Sequence, residues 1–379
     1  MSGRYGWFLN SLLVLVMLLV WGRFSTAEEP LAFDYSPYTQ SLPVKDVIQD
    51  IDSFTSSDRI LATYYFYWYD WATRQHLLNP DGSDALTLHP ADPESLSWKS
   101  AAWHRKEFED MVQAGIDVAL LTYWGPPAHA QLKGDWPESF QYGYQAIPAI
   151  VQACDEMVRD GKKPPKIGMM YDTSSLRRNA SYPQQDMTTP EGKRWFYETI
   201  RDFYLRIPPK YWATIDNRPI VLTYVSRWGL GTDHQTWLRY SNDLFTVTKA
   251  DFKKDFGVEP YLVPEVTWKA DKDTSVQWGA AYSVFNKNGI IGIGPGYDHT
   301  AVPGRPKKIA ERKGGDFYQY NWVRALRCEP KFIVLETWNE FHEGTVICES
   351  REYGRQYIDL TRKYADMYHK GIVPDAPDG

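Results

Sequence analysis

The sequence predicts a single α/β domain folded as a (β/α)8 TIM-like barrel. Three observations carry that expectation. Short apolar runs rich in β-branched and aromatic residues recur along the chain, each bounded by Gly, Pro or polar residues, as strands buried on both faces are. Segments of helical period separate most of them. Almost every run also ends in aromatic and acidic residues, which is where a barrel of this kind places its chemistry.

The chain opens with Arg4, an apolar stretch from Trp7 to Trp21, and then Ser25-Thr26-Ala27. A positive flank, an apolar core and a small-residue end predict a secretory signal peptide cleaved after Ala27. The core is shorter than the roughly 20 residues of a spanning helix. The expectation is therefore a secreted or periplasmic protein with no membrane attachment after cleavage, residues 28–379 forming one catalytic domain.

Residues 28–58 read as a lead-in, and 60–69 as the first strand. Asp70 to Asp92 is a long polar loop with Pro80, Gly82 and Pro90; loops of that length in a compact domain are usually functional or disordered. A helix over 103–114 closed by Gly115 precedes the second strand, 116–124, which Gly125-Pro126-Pro127 stops. Helix 142–159 leads to strand three at 166–172, helix 191–205 to strand four at 219–225, and helix 236–256 to strand five at 260–268. Strands six and seven are predicted at 280–285 and 290–294. Only Asn286 to Gly289 separates them, too little for a helix, and the stretch after strand five is short as well. Either one or two outer helices are missing around strands five to seven, or one of these strands is misassigned. Residues 308–327 lead into the eighth strand, 332–338, and a helix over 355–369 ends the domain.

Composition narrows the function. A net charge of −6 without basic clusters argues against nucleic acid or an anionic membrane surface as a partner. With 16 Trp, 26 Tyr and 16 Phe, the chain is unusually dense in aromatics; a bulky core accounts for most of them, and such rings also pack flat on sugar faces. Cys154, Cys328 and Cys348 make no disulfide framework, and a core that folds without such links is expected. Asn179-Ala180-Ser181 is a glycosylation acceptor in a eukaryotic source. No HExxH or clustered Cys/His spacing calls for a metal, and no cofactor is expected.

The predicted strand ends assemble a candidate site. Strand one supplies Tyr67 and Tyr69, strand two Trp124, strand three Asp172, strand four Tyr224 and strand five Glu265. Tyr297 and Asp298 follow strand seven; Trp338, Asn339, Glu340, His342 and Glu343 end strand eight. An aromatic bowl holding two carboxyl groups three residues apart suits cleavage of an oligo- or polysaccharide. One carboxyl must be charged and the other protonated at the same pH, which like-charge proximity and uneven burial can arrange. Plainer roles stand beside these. Glu340 and Glu343 could form a solvated acidic loop, and Tyr67, Tyr69 and Trp124 could fill the barrel. His342 fits a role orienting a carboxylate better than a metal ligand. Glu265 is either paired or in the site, Asp298 and His299 could be loop residues, and Glu336 reads as a paired structural carboxylate.

Trp338-Asn-Glu-Phe-His-Glu-Gly-Thr345 resembles the terminal-strand motif of glycoside hydrolase family 99 and its relatives. Tyr64-Tyr-Phe-Tyr-Trp-Tyr69 is similar to that family's first strand, and Ala114-Gly-Ile-Asp117 through Tyr123-Trp124-Gly125 to its second. Gly294-Pro-Gly-Tyr-Asp298 and Gly314-Gly315 also match, in order, so the likeness spans residues 60–350. The family comprises endo-acting α-mannosidases and α-mannanases on (β/α)8 barrels. The resemblance implies retention of anomeric configuration without an enzyme-bound sugar. Glu340 would deprotonate the substrate's 2-hydroxyl, which expels the leaving group as an anhydrosugar forms, and Glu343 would protonate the departing oxygen. This chain departs from the family at Asp70, at Asp172-Thr-Ser, at Phe341 between the two acids and at Cys348; these changes leave the pair intact and bear on the substrate. A glycan-binding barrel without activity, or a sugar-transferring enzyme on the same fold, are the rival expectations.

Overall fold

Parallel strands form the centre of the computed structural model, which describes residues 51–132, 137–177, 184–228, 237–282, 285–287 and 290–375. The strands of three residues or more are β1 Ile60–Tyr65, β2 Val118–Tyr123, β3 Lys166–Tyr171, β4 Arg218–Thr223, β5 Tyr261–Val263, β6 Phe285–Lys287, β7 Ile290–Ile293 and β8 Phe332–Leu335. Seven of them run parallel in the order β5-β4-β3-β2-β1-β8-β7, so the first strand pairs with the last. Ile60 lies opposite Phe332 in one ladder and Ala62 opposite Val118 in the next. A first strand flanked by the second and the last is the strand order of an α/β barrel wound in sequence order.

Helices cover the outside. They are α1 Ala101–Ala114, α2 Pro127–Leu132, α3 Pro137–Gln145, α4 Ile147–Arg159, α5 Pro190–Arg206, α6 Leu244–Phe256, α7 Asp316–Leu326 and α8 Gln356–His369. Local chemistry sets their ends. Ser100 Oγ accepts from Trp103 N at the start of α1, and Gly115 stops it at φ 81°. A Cβ on Gly115 would come within 2.8 Å of the Ala365 Cβ on α8, so glycine also sets the approach of those helices.

The expected sixth strand, 280–285, is not strand at its start. Ala280–Tyr282 is a 3-10 turn, and β6 runs antiparallel to β7, with Lys287 opposite Ile290. No α-helix lies between β5 and β7 among the described residues, one of the two alternatives that the short spacing there left open. The physical reason is a side chain. Glu336, just past β8, accepts hydrogen bonds from Gly279 N at 2.9 Å and Ala280 N at 2.5 Å. Backbone donors that a neighbouring strand would have satisfied are met by a carboxylate.

Side chains alternate across the strands, giving two apolar layers. Ile60, Ala62, Tyr64 and Phe66 join Val118, Leu120, Leu222 and Val334 along the barrel axis. Leu61, Tyr65, Tyr67 and Tyr69 instead pack outward with helix residues such as Phe108 and Met111. Each fully buried large side chain contributes roughly 1.5–3 kcal/mol. Even-numbered positions of β1 and its continuation thus face the axis, and odd ones face the helices.

Tyr38–Gly379 makes up one compact unit. The predicted leader through Ala27 and the acceptor at Asn179 lie outside the described residues. All three cysteines are free, Cys154 and Cys348 buried and Cys328 exposed. Among the described residues no helix is long and apolar enough to cross a membrane.

Candidate active site

Beyond β8 the chain folds back on itself as a pinned loop. Thr337 Oγ1 accepts from Glu340 N at 2.9 Å and meets Thr345 Oγ1 across the loop at 2.9 Å. Tyr69 grips it from outside, its hydroxyl donating to Asn339 O at 3.2 Å and accepting from Phe341 N at 3.0 Å. Asn339 Oδ1 accepts from Phe66 N at 2.8 Å, tying the loop to the end of the first strand. Gly344, at φ 58°, turns the chain after Glu343, where a Cβ would sit 2.9 Å from Asp298 O.

The loop delivers Glu340, His342 and Glu343 to one cleft of about 500 Å³. Trp68, His76 and Arg305 also line it, as do other residues of 74–76 and 78–80 in the long loop after the first strand. That loop is closed at its base by Asp70, whose oxygens accept from Thr73 Oγ1 and Ser97 Oγ, each at 2.7 Å.

The two acids sit in opposite surroundings. Glu340 Oε1 accepts from His342 N at 3.0 Å and from His342 Nδ1 at 2.7 Å. Its Oε2 accepts nothing from the described residues. His342 Nε2 donates to His76 O at 2.9 Å, so both ring nitrogens face acceptors. Burial pulls the His342 pKa down, but the charge and hydrogen bond of Glu340 lift it above the ordinary imidazole value. His76 goes the other way: burial, helped by the His342 charge, lowers it to about 3, and it stacks as a neutral ring on Trp68.

Burial raises the Glu343 carboxyl above its usual range, and the neighbouring Glu340 charge raises it further. Arg305 opposes both, its Nη1 2.5 Å from Glu343 Oε1. Three tyrosines stand near enough to feel Glu343. Burial first, and then the Glu343 charge, push the phenols of Tyr224 and Tyr297 up; burial, with Glu343 among the lesser causes, takes Tyr282 to about 12. Tyr224 meets Trp278 edge-on at 4.9 Å, and Tyr282 packs on Tyr297 at 4.7 Å.

Several residues expected in the site are elsewhere. Tyr67 is fully buried with its hydroxyl on Gly143 O, because odd positions of the first strand face the helices. Tyr69 shares that face and acts on the loop, not on the cleft. Trp124 stacks behind Trp68 and donates to Asp172 Oδ2 at 2.8 Å. Asp172 caps the turn Thr173–Leu176 with its other oxygen, and burial raises its carboxyl. Glu265 is occupied by Thr267 and Trp278 backbone donors, and Asp298 Oδ1 by Thr300 N. Trp338 is fully buried on the helix side, its indole N–H donating to Glu107 Oε2 at 2.5 Å. Asn339 is likewise fully buried and holds the loop. In the sequence, strand parity alone could have exposed Trp68; nothing there marked His76 or Arg305. Among the described residues no group of three or more His, Cys, Asp or Glu could hold a metal.

The family described as "Domain of unknown function (DUF5010)" matches residues 52–377, most of the chain. The chain belongs to that family. Within this DUF5010 chain, a segment is similar to glycoprotein endo-alpha-1,2-mannosidase of Rattus norvegicus, 29% identical over 119 residues, 27% of this chain and 26% of that protein. Another match is the glycoprotein endo-alpha-1,2-mannosidase-like protein of Danio rerio, 30% identical over 111 residues, 24% of this chain and 25% of that protein. The match thus spans about a quarter of the length of these curated relatives. In fold, the chain is similar to the GH99 endo-alpha-mannosidase of Bacteroides thetaiotaomicron, with a TM-score of 0.60 at 16% identity, covering 83% of this chain and 98% of that one.

Proposed function

We propose that this chain is a glycoside hydrolase acting on an α-linked, mannoside-type glycan, exported by way of its N-terminal segment. The observation that carries the reading is a cleft with two carboxyl groups in unlike settings, one hydrogen-bonded to a histidine whose pKa it lifts and one whose own pKa is raised. Such a division is what acid–base cleavage of a glycosidic bond requires. The likeness to proteins named endo-alpha-mannosidases supports the mannoside-type substrate.

The chemistry we assign to the pair is the one that the family resemblance implies. Glu340 Oε2 takes the proton of the substrate's 2-hydroxyl. The freed oxygen attacks the anomeric carbon, the bond from that carbon to the leaving oxygen breaks, and Glu343 gives its proton to that oxygen. A three-membered anhydrosugar results. Glu343, now a carboxylate, deprotonates a water that opens the ring at the anomeric carbon, and Glu340 returns the proton to the 2-oxygen. Two inversions leave net retention. The 2-oxygen must lie trans to the leaving group, as in α-mannosides.

Digestion of a glycan library by wild type and by Glu340→Gln in parallel tests the reading. Release of reducing ends by the wild type alone supports it, and equal release by both, or none by either, contradicts it. Arg305 supplies a separate test. Because Arg305 holds the Glu343 pKa down, Arg305→Gln raises it. Glu343 must be protonated to act, so activity is lost as pH rises through its pKa. The alkaline limb of the kcat/KM profile therefore moves to higher pH in Arg305→Gln, read from initial rates across pH. An unmoved limb would show that Glu343 is not the group it reports.

A further inference from the structure

Among the described residues, the cleft carries one positive charge without a carboxylate partner. Its charged lining comprises Arg74, Arg305 and His342 against Glu340 and Glu343, in a chain whose net charge is −6. Arg305 is paired with Glu343 and His342 with Glu340. Arg74 has no carboxylate within ion-pair distance among the described residues. It is exposed and lines the same cleft as the acid pair.

Arg74 is nonetheless held in place. Its guanidinium carbon lies 3.4 Å from the centre of the Trp71 ring, so the charge is laid flat on an aromatic platform with its N–H edges free. Its backbone is left-handed at φ 62°, and His76 two residues on is left-handed at φ 58°. L-residues with side chains seldom adopt that conformation, and it persists where the surroundings impose it, often at functional sites. The surroundings here are the Asp70 bonds to Thr73 and Ser97 that close the loop base, and the stack of His76 on Trp68 inside the cleft.

We propose that the substrate of this cleft is an acidic glycan, whose sulfate, phosphate or carboxylate is received by the fork of Arg74 when the scissile bond lies at Glu340 and Glu343. This rests on the hydrolase reading and narrows its substrate class. A planar fork of N–H donors is matched by oxyanions, and charge-assisted bonds of this kind exceed those to neutral hydroxyls.

The test uses four α-manno-oligosaccharides of one length: neutral, 6-O-sulfated, 6-O-phosphorylated, and oxidised to the uronate at C6. Rates are measured with wild type, Arg74→Gln and Arg74→Lys, and affinities by titration calorimetry with Glu343→Gln. The expected result is a kcat/KM for at least one anionic member that exceeds the neutral one by roughly tenfold and falls with added sodium chloride. Which member it is identifies the anion. Arg74→Gln collapses that ratio, and Arg74→Lys retains part of it. Equal rates for neutral and anionic members, or a ratio unchanged in Arg74→Gln, overturn the proposal. If none of the four is cleaved, the hydrolase reading is what fails. The titration then decides the charge preference alone: tenfold tighter binding of an anionic member sustains it, and equal binding overturns it.

Discussion

Glu343→Gln lowers kcat/KM on an α-manno-oligosaccharide by roughly 10²–10⁴-fold, the usual contribution of a positioned general acid. The loss depends on the leaving group. With a fluoride or nitrophenolate, which departs without a proton, Glu343→Gln recovers much of the first step, because protonation of the leaving oxygen is the function removed. Glu340→Gln recovers nothing with the same substrates, since the 2-hydroxyl must still be deprotonated. The pair of variants thereby separates acid from base. The pH profile adds a check. The Glu343 carboxyl lies above the usual range through burial and the Glu340 charge; with activated substrates the alkaline limb vanishes in Glu343→Gln. If both variants respond alike to leaving-group quality, the division of labour between the two acids is wrong.

Trp338→Ala destabilises the fold by about 3–5 kcal/mol, the cost of removing a fully buried aromatic side chain. Its indole lies on the helix side and donates to Glu107, whose carboxyl burial raises to about 7. Truncation therefore leaves both a cavity and a buried carboxyl short of one of its donors. Denaturant unfolding monitored by circular dichroism measures the loss. A tryptophan that stacked on sugar would behave otherwise, raising KM while leaving the unfolding midpoint in place. An unfolding midpoint equal to that of the wild type would contradict the placement of Trp338.

The contrast between Trp338 and Trp68 shows what the sequence could convey. Strand runs, their order and the helical crossovers were legible because periodicity and punctuation reflect burial directly. The pairing of β1 with β8 followed from the barrel reading, and so did the arrival of Glu340, His342 and Glu343 at one rim. Which aromatics face the cleft was harder. In Tyr64-Tyr-Phe-Tyr-Trp-Tyr69 every residue is aromatic, so hydropathy cannot reveal parity. The inward positions are Tyr64 and Phe66, with Trp68 in the cleft, while Tyr67 and Tyr69 face the helices. Beyond Leu335 regular strand ends, and alternation says nothing of where Trp338 points.

The sixth strand was misread for a related reason. Residues 280–285 have strand-like composition, yet the donors at Gly279 and Ala280 are claimed by Glu336, a long-range partner that composition does not announce. Arg305 and His76 reach the cleft from loops, where tertiary closure and not local pattern decides position.

The central claim is that Glu340 and Glu343 cleave a mannoside-type bond through the substrate's own 2-oxygen. Proton NMR of the first products from an α-manno-oligosaccharide, alongside its 2-deoxy analogue at the cleaved residue, addresses it most directly. The account predicts that the α-anomer appears first and that the 2-deoxy analogue is not cleaved. First appearance of the β-anomer, or cleavage of the 2-deoxy analogue at a comparable rate, would contradict it.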